Sequence, residues 1–309
     1  MERGAALAII SVSKVSKRYG NELILKDINF SANEGEIIGL LGPNGAGKTT
    51  FIRLLNGVIN HDTGSISIFG FNPATEGDEI RKLSGIVTES AGLYHQMSGR
   101  ENLNFFAGLY KVKDKKAQID KLLNLFDLEE HQHKLAGAYS TGMKKRLGLA
   151  KALLHNPKIL FLDEPTNGLD PEGIRMVLSY LKKYNQETGT TILICSHVLH
   201  QLETICTSFA FLESGSIIEH APLHKLEAAY IKELTITIES NFPIEPTHTI
   251  KGFQCMRRRG SYITFKLHNK EDIPILLKEI LKSYPVYSVI QENNNLESIY
   301  FHIREGNNG

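Results

Sequence analysis

One glycine-rich segment constrains the fold of this chain more than any other feature. Gly42 to Thr49 reads GPNGAGKT and fits the pattern G-x-x-x-x-G-K-[ST]. An apolar run, Ile37 to Leu41, precedes it, and the helix-like text of Thr50 to Asn56 follows. Glycines allow backbone N–H groups to turn inward around phosphate oxygens, and a helix N-terminus adds partial positive charge. The pattern therefore predicts a phosphate-binding loop between a buried strand and a helix, as in α/β folds.

Two side chains of this loop and two later carboxylates extend the prediction to a nucleotide and its metal ion. We expect Lys48 to reach the β- and γ-phosphates and Thr49 to bind Mg²⁺. The apolar run of residues 159–162 ends in Asp163 and Glu164, and the carboxyl ends of parallel strands carry the ligand site in such sheets. Asp163 fits a second anchor for magnesium. Glu164 is placed to polarise the attacking water as a general base.

Strand-like and helix-like segments alternate from about residue 10 to 220, which predicts an α/β domain with a largely parallel sheet. The alternation is interrupted at about residues 98–157. Helical text begins there with a capping-box pattern at Ser98 and Glu101. We therefore expect a helical insertion within the α/β domain.

The pattern changes again near Pro222. Beyond about residue 225, alternating strands and two amphipathic helices predict a small α+β domain. Arg257 to Gly260 is interpreted as a polar turn between two of these strands. The predicted domains are therefore residues 1–224, which contain the phosphate-binding loop, and an accessory domain at residues 225–309.

Charge, hydropathy and cysteine content restrict the partners and the location. The formal net charge is +1, from 35 basic and 34 acidic residues, whereas a dedicated nucleic-acid binder usually carries a strong basic excess. No stretch approaches the roughly 20 apolar residues that span a bilayer. The three cysteines form no C-x-x-C pair, which argues against a zinc site or a redox dithiol. We therefore expect a cytoplasmic chain that docks at a membrane if it acts there.

A second glycine-containing loop carries a resemblance to a known family. Residues 140–144, STGMK, stand 23 residues before Asp163. A serine hydroxyl and a glycine N–H at a helix N-terminus form another anion site. With the phosphate-binding loop and the paired carboxylates, this segment resembles the signature loop of ABC transporter nucleotide-binding subunits. The resemblance covers roughly residues 10–220 and implies that Ser140 and Gly142 bind the γ-phosphate held by a second subunit.

Further positions match the same family. Tyr19 is similar to the aromatic residue that stacks on adenine, and residues 167–170, NGLD, resemble the loop that crosses the dimer interface. His197 resembles the switch histidine that contacts the γ-phosphate. The resemblance thus implies catalytic roles for Glu164, His197 and Lys48. It also implies that the nucleotide is contacted by Tyr19, Gly42, Asn44, Gly45, Gly47, Lys48, Thr49, Thr50, Ser140 and Gly142.

Three positions depart from the family pattern. Glu89 stands where the family usually has a glutamine whose side-chain oxygen meets Mg²⁺ and the lytic water. A carboxylate can still bind magnesium, so Glu89 joins Thr49 and Asp163 as an expected metal ligand, although it repels a γ-phosphate. We expect this charge to make hydrolysis depend more on the partner. Thr141 replaces a glycine and Met143 a glutamine, which alters the fine geometry of the signature loop.

The resemblance implies a P-loop α/β ATPase domain of the ABC type with a helical insertion, followed by the small α+β domain. ATP and Mg²⁺ are the expected ligands. Two copies are expected to dimerise around two ATP molecules and to drive an integral membrane permease, and the C-terminal extension favours export. The chain would then lie on the inner face of the cell membrane, with no nucleic-acid partner.

Two alternative functions stay open. One is a soluble ABC-type ATPase that acts on nucleic acid or on the ribosome. The other is a nucleotide-binding regulator without turnover: Glu164 and His197 argue against it, whereas Glu89 and Thr141 leave room for it.

Two interpretations also stay open for residues 91–97. Tyr94 and Met97 are interpreted either as a docking surface for the permease or as a packed loop.

Overall fold

The computed structural model describes residues 8–88, 92–231, 234–292 and 296–307. Contacts divide the chain into two compact units, with the boundary between Ala221 and Pro222. We call these the first unit and the second unit. The sequence analysis puts the boundary after residue 224.

The first unit has two sheets. Their strands are β1 (Ala8–Tyr19), β2 (Glu22–Asn33), β3 (Ile37–Leu41), β4 (Thr63–Ile68), β5 (Ser84–Val87), β6 (Ile159–Asp163), β7 (Thr191–Cys195), β8 (Ser208–Glu213) and β9 (Ser216–Pro222). The larger sheet has the order β5-β6-β7-β3-β8-β9. Its pairings from β5 through β8 are parallel. Every residue of β3, β6 and β7 is buried, as expected for strands that are covered on both faces.

The smaller sheet is antiparallel and has the order β2-β1-β4. Val12 in β1 lies opposite Phe30 in β2 and Ile66 in β4. The prediction of a largely parallel sheet does not include this layer. The register of β1 shifts several times along its length, and such bulges break the two-residue alternation from which a half-buried strand is predicted.

Helices cover the larger sheet and form the segment between β5 and β6. The capping box predicted at Ser98 and Glu101 is confirmed: the Ser98 hydroxyl accepts from the Glu101 N–H at 3.2 Å, and the Glu101 carboxylate accepts from the Ser98 N–H at 2.7 Å. No helix within the described ranges is long and apolar enough to cross a membrane. The helices of this unit are α1 (Lys48–Leu55), α2 (Pro73–Leu83), α3 (Gly99–Leu109), α4 (Lys115–Leu125), α5 (Thr141–Leu153), α6 (Pro171–Thr188) and α7 (Leu199–Glu203), with a short 3₁₀ turn at Ala136–Ala138.

The second unit is a five-stranded antiparallel sheet with three helices, α8 (Leu223–Tyr230), α9 (Asp272–Ile280) and α10 (Leu296–Asn307). Its strands are β10 (Leu234–Ser240), β11 (Thr249–Ile250), β12 (Phe253–Arg259), β13 (Tyr262–Leu267) and β14 (Val286–Glu292), in the order β11-β12-β13-β10-β14. Its hydrophobic core includes Ile236, Phe265 and Leu276. This core is distinct from the large cluster of the first unit.

The polar turn predicted at Arg257 to Gly260 is wrong in its bounds. Arg257, Arg258 and Arg259 belong to β12 and pair with β13, and the turn begins only at Gly260. Three consecutive arginines are typical of a loop. They are tolerated in β12 because their side chains stay largely in solvent while the backbone completes the sheet.

Candidate functional site

The segment that joins β3 to α1 is a glycine-rich loop whose backbone forms a cradle at the start of the helix. Gly47 has a φ of 109°, which glycine adopts without steric cost. A Cβ on Gly42 would lie 2.1 Å from the carbonyl oxygen of Leu212, so no larger residue fits there. The helix begins at Lys48 without a side-chain cap, and its first N–H groups therefore remain available to an anion.

The Lys48 ammonium lies inside this cradle. The side chain is only 8% exposed. Its Nζ donates to the carbonyl oxygen of Gly42 at 2.7 Å and to that of Pro43 at 3.0 Å. A buried cation is stable only when it is hydrogen-bonded or paired. An ammonium has three donors, so these two carbonyls orient Lys48 and leave one N–H for a phosphate oxygen.

A hydroxyl and a carboxylate meet where α1 faces the end of β6. The Thr49 Oγ1 donates to the Asp163 Oδ2 at 2.7 Å. Asp163 is buried at the last position of β6, and Thr49 is the second residue of α1. Hydroxyl and carboxylate oxygens are the hard donors that Mg²⁺ prefers. The donor chemistry of this pair therefore fits the ion that the sequence predicts.

Glu164 follows β6 with an unusual backbone. Its φ is 49°, in the left-handed region, which is costly for a side chain with a Cβ. Its N–H donates to the carbonyl oxygen of Cys195 at the end of β7. Its Oε1 lies 2.9 Å from the Nδ1 of His197. The two parallel strand ends thus bring a carboxylate and an imidazole together, 33 residues apart in the sequence.

These side chains line one cleft of about 610 Å³. It brings together ten of the predicted residues: Tyr19, Asn44, Gly45, Gly47, Lys48, Thr49, Thr50, Asp163, Glu164 and His197. Gly42 contributes through its carbonyl oxygen, which holds Lys48. Glu89 lies outside the described residues.

The cleft also includes three residues that the sequence analysis did not assign to it. Glu22 lies opposite Tyr19 in the β1–β2 register. A prediction of this strand pairing would have placed Glu22 in the cleft beside Tyr19. Ile24 lies two residues further along β2. Asn167 lies in the loop after Glu164, whose carbonyl oxygen accepts from the Asn167 N–H at 3.3 Å.

Ser140 and Gly142 do not line the cleft of their own chain. Ser140 caps α5, with its Oγ accepting from the Met143 N–H at 3.2 Å. A Cβ on Gly142 would lie 3.4 Å from the Leu169 side chain. The loop of residues 140–144 therefore packs beside the loop of residues 167–170 and lies apart from the cleft.

Comparisons with known proteins decide the family. The family model described as ABC transporter matches residues 25–167. The chain is 34% identical over 291 residues to the uncharacterised ABC transporter ATP-binding protein YhcH of Bacillus subtilis (strain 168), a match that covers 94% of this chain and 93% of that protein. This chain belongs to the ABC transporter ATP-binding proteins.

Two further matches, one to a sequence and one to a solved structure, come from the same family. The bacitracin transport ATP-binding protein BcrA of Bacillus licheniformis is 40% identical over 219 residues, which are 71% of each chain. A solved structure described as the dimeric structure of MJ0796, a bacterial ABC transporter cassette, is 25% identical with a TM-score of 0.64 and covers 69% of this chain and 98% of that one. Both matches are shorter than the match to YhcH.

Membership confirms the resemblance and the α/β fold class drawn from the sequence. As an ABC transporter ATP-binding subunit, the chain binds ATP and couples its hydrolysis to transport. Proteins of this family work with membrane permeases and form dimers. The alternative of an ABC-type ATPase that acts on nucleic acid or on the ribosome gains no support from these relatives.

Proposed function

We propose that two copies of this chain enclose two ATP molecules and that their hydrolysis drives a separate integral membrane permease in export. The observation that carries the proposal is the convergence of Lys48, Thr49, Asp163, Glu164 and His197 on one cleft. A cation, an oxygen pair for a metal ion, and a carboxylate with its imidazole are the groups that phosphoryl transfer to water requires.

The cradle and Lys48 bind the phosphates of ATP. Backbone N–H groups around Gly45 and Gly47, together with the start of α1, offer donors to phosphate oxygens. Lys48 adds a charge-assisted hydrogen bond. Tyr19 lies at the mouth of the cleft, 46% exposed, where its ring stacks on the adenine.

Thr49 and Asp163 would hold Mg²⁺ through their oxygens, and Glu89 is the third proposed ligand. The bound ion would neutralise charge on the β- and γ-phosphates. Before any ion arrives, the hydrogen bond between Thr49 and Asp163 keeps the two donors at the same edge of the cleft.

Glu164 and His197 act on the water and the γ-phosphate. The Glu164 carboxylate accepts a hydrogen bond from the attacking water, and His197 orients that carboxylate through its Nδ1. The water oxygen forms a bond to the γ-phosphorus while the bond to the β–γ bridging oxygen breaks. ADP and phosphate are the products.

The second anion site explains why a dimer is needed. Ser140 and Gly142 lie apart from the cleft of their own chain. They therefore act on the γ-phosphate that a second copy holds. The dimeric cassette with a similar fold supports this arrangement.

An aromatic cluster is the proposed docking surface for the permease. Tyr94 and Phe105 are 46% and 43% exposed, and their ring centroids are 5.0 Å apart. Phe106 contacts both, at 5.8 Å and 5.3 Å, and the Lys151 ammonium lies 5.0 Å from its ring centroid. Exposed aromatic rings of this kind are enriched at protein interfaces. Following the C-terminal extension that the sequence shares with export-type subunits, we assign the direction as export and the location as the inner face of the cell membrane.

Co-purification from detergent-solubilised membranes tests the proposal. We expect the tagged chain to recover a polytopic membrane protein at a defined ratio. Tyr94→Ala combined with Phe105→Ala should reduce that recovery at least about tenfold while ATP affinity stays unchanged, since truncating interface anchors costs 2 kcal/mol or more. Tyr262→Ala, an equally exposed aromatic side chain of the second unit, is the matched control. Recovery of ribosomes or DNA in place of a membrane protein would contradict the proposal.

A further inference from the structure

One buried cation close to the cleft has no role so far. Lys145 lies on α5 and is only 4% exposed. Its Nζ donates to the backbone carbonyl oxygen of Glu164 at 3.1 Å. Burying an ammonium is unfavourable unless good hydrogen bonds compensate, and the Glu164 carbonyl oxygen supplies one of them. The ammonium is bound to the backbone of Glu164, the residue whose side chain is proposed to polarise the water.

The backbone that Lys145 contacts adopts the left-handed conformation. Such a conformation is sterically unfavourable for a residue with a Cβ and persists only where the surroundings enforce it. The contacts of Glu164 supply that enforcement. Its N–H donates to Cys195 at 3.0 Å, its carbonyl oxygen accepts from Lys145 and from the Asn167 N–H, and its carboxylate meets His197.

Among these contacts, only the one from Lys145 comes from α5. Cys195 and His197 belong to β7 and the residues that follow it, and Asn167 belongs to the loop after β6. The first turn of α5 carries Ser140 as its cap. A rigid helix therefore connects the loop that meets the partner's nucleotide with the carbonyl of Glu164 in its own cleft.

We propose that Lys145 is a positioning residue that holds the Glu164 carboxylate in its hydrolytic orientation and couples it to the position of α5. The inference rests on the proposed function, because it assumes that Glu164 acts on the water. Without the Lys145 ammonium, the Glu164 peptide loses a charged donor and its left-handed backbone relaxes. The carboxylate then moves away from His197 and from the water, whereas the phosphate cradle keeps its contacts.

Steady-state kinetics of the full-length chain provide the first test. We expect Lys145→Met, which keeps the length of the side chain but removes the donor, to lower kcat about 100-fold, since a displacement of about 1 Å can have that effect. KM for ATP should stay within about twofold. Lys145→Arg, which keeps a cationic N–H donor, should recover most of kcat. Arg146→Met is the matched control: it removes a cation from the same helix, but one that faces the Asp127 carboxylate at 3.6 Å, and its kcat should match wild type.

Hydrogen–deuterium exchange separates a failure of this inference from a failure of the proposed function. The Glu164 N–H is hydrogen-bonded to Cys195, so residues 163–169 should exchange at least about tenfold faster in Lys145→Met, and residues 37–41 should exchange as in wild type. This readout does not depend on hydrolysis. If wild type hydrolyses no ATP, the proposed function fails and the exchange data still decide the role of Lys145. Unchanged exchange at residues 163–169, or equal kcat values for Lys145→Met and Arg146→Met, would overturn the positioning role of Lys145.

Discussion

Each unit contains a threonine whose hydroxyl donates to a carboxylate, but only one of the two pairs lies at a cleft. In the first unit, Thr49 meets Asp163 at 2.7 Å. In the second unit, Thr237 meets Glu292 at 2.6 Å and the Thr264 hydroxyl at 2.7 Å. Similar chemistry thus has different surroundings, because Thr237 lies within a sheet, whereas Thr49 lies in the first turn of a helix and meets a carboxylate at the end of a strand.

Sheet topology explains the difference. In the parallel sheet, the carboxyl ends of β3, β6 and β7 lie at one edge, so the residues that follow them converge on a cleft. In the antiparallel sheet, β10 pairs with β13 and β14, and polar side chains face each other across neighbouring strands. There they satisfy one another. The availability of a buried polar group to a ligand therefore depends on where the strands end.

The largest expected effect comes from a pair of core phenylalanines. Phe161 in β6 and Phe265 in β13 are both fully buried. We expect Phe161→Ala and Phe265→Ala each to lower the free energy of unfolding of its own unit by about 3–5 kcal/mol. Only Phe161→Ala should weaken ATP binding, because β6 carries Asp163. Isothermal titration with ATP and thermal unfolding give the two readouts. Equal losses of ATP affinity would show that the second unit supports the nucleotide site.

The next largest effect is expected in the rates at which the three cysteine thiols are labelled. These cysteines lie in both units, so their labelling rates report on the opening of each unit. Cys195 and Cys206 are buried in the first unit and Cys255 in the second. Burial raises the pKa of all three thiols above the ordinary value, so little thiolate is present near pH 8 and labelling requires opening of the structure. ATP at 100 times its Kd stabilises the unit that binds it by about 2.7 kcal/mol.

We therefore expect ATP to slow the labelling of Cys195 and Cys206 about 100-fold and to leave Cys255 unchanged. Mass spectrometry of labelled peptides measures each site. Protection of Cys255 by the same factor would mean that the two units open together, despite their separate hydrophobic cores.

The smallest effects come from the two threonines. Thr237→Val should cost about 1.5–3 kcal/mol of stability, the usual value of a hydrogen bond to a charged group, and should leave ATP turnover unchanged. Thr49→Val should reduce turnover at least about tenfold, since a hydrogen bond to a charged group is worth about 1.5–3 kcal/mol and the metal loses a ligand. Turnover at saturating ATP and chemical denaturation distinguish these outcomes. A loss of turnover in Thr237→Val would contradict the division of roles.

The sequence predicted the site best where its residues are consecutive in the chain. Residues 42–49 carry their whole geometry in eight positions, and Asp163 with Glu164 ends a strand that is apolar throughout. The sequence carried no recognisable pattern for features whose geometry is set by contacts between distant segments. The left-handed backbone of Glu164, for example, is hydrogen-bonded to Cys195 and Lys145, which belong to other segments.

Nothing in the local pattern of α5 distinguishes Lys145 from the neighbouring Lys144 and Arg146. Likewise, β12 was misread because Arg257 to Arg259 are typical of a turn, whereas pairing with β13 extends the strand through them. The partner of Lys145 is 19 residues away, so no local pattern reveals it. The partner of β12 is the adjacent strand, but three consecutive arginines hide the strand that pairs with it.

Parallel measurement of ATP turnover and ATP binding in Glu164→Gln tests the central claim most directly. The substitution keeps the size of the side chain and removes its charge. We predict that turnover falls about 10²- to 10⁴-fold, the usual contribution of a general base, and that the Kd for ATP stays within about threefold of wild type, because the cradle and Lys48 are intact. Turnover at the wild-type rate would show that Glu164 does not act on the water and would contradict the mechanism built on this cleft.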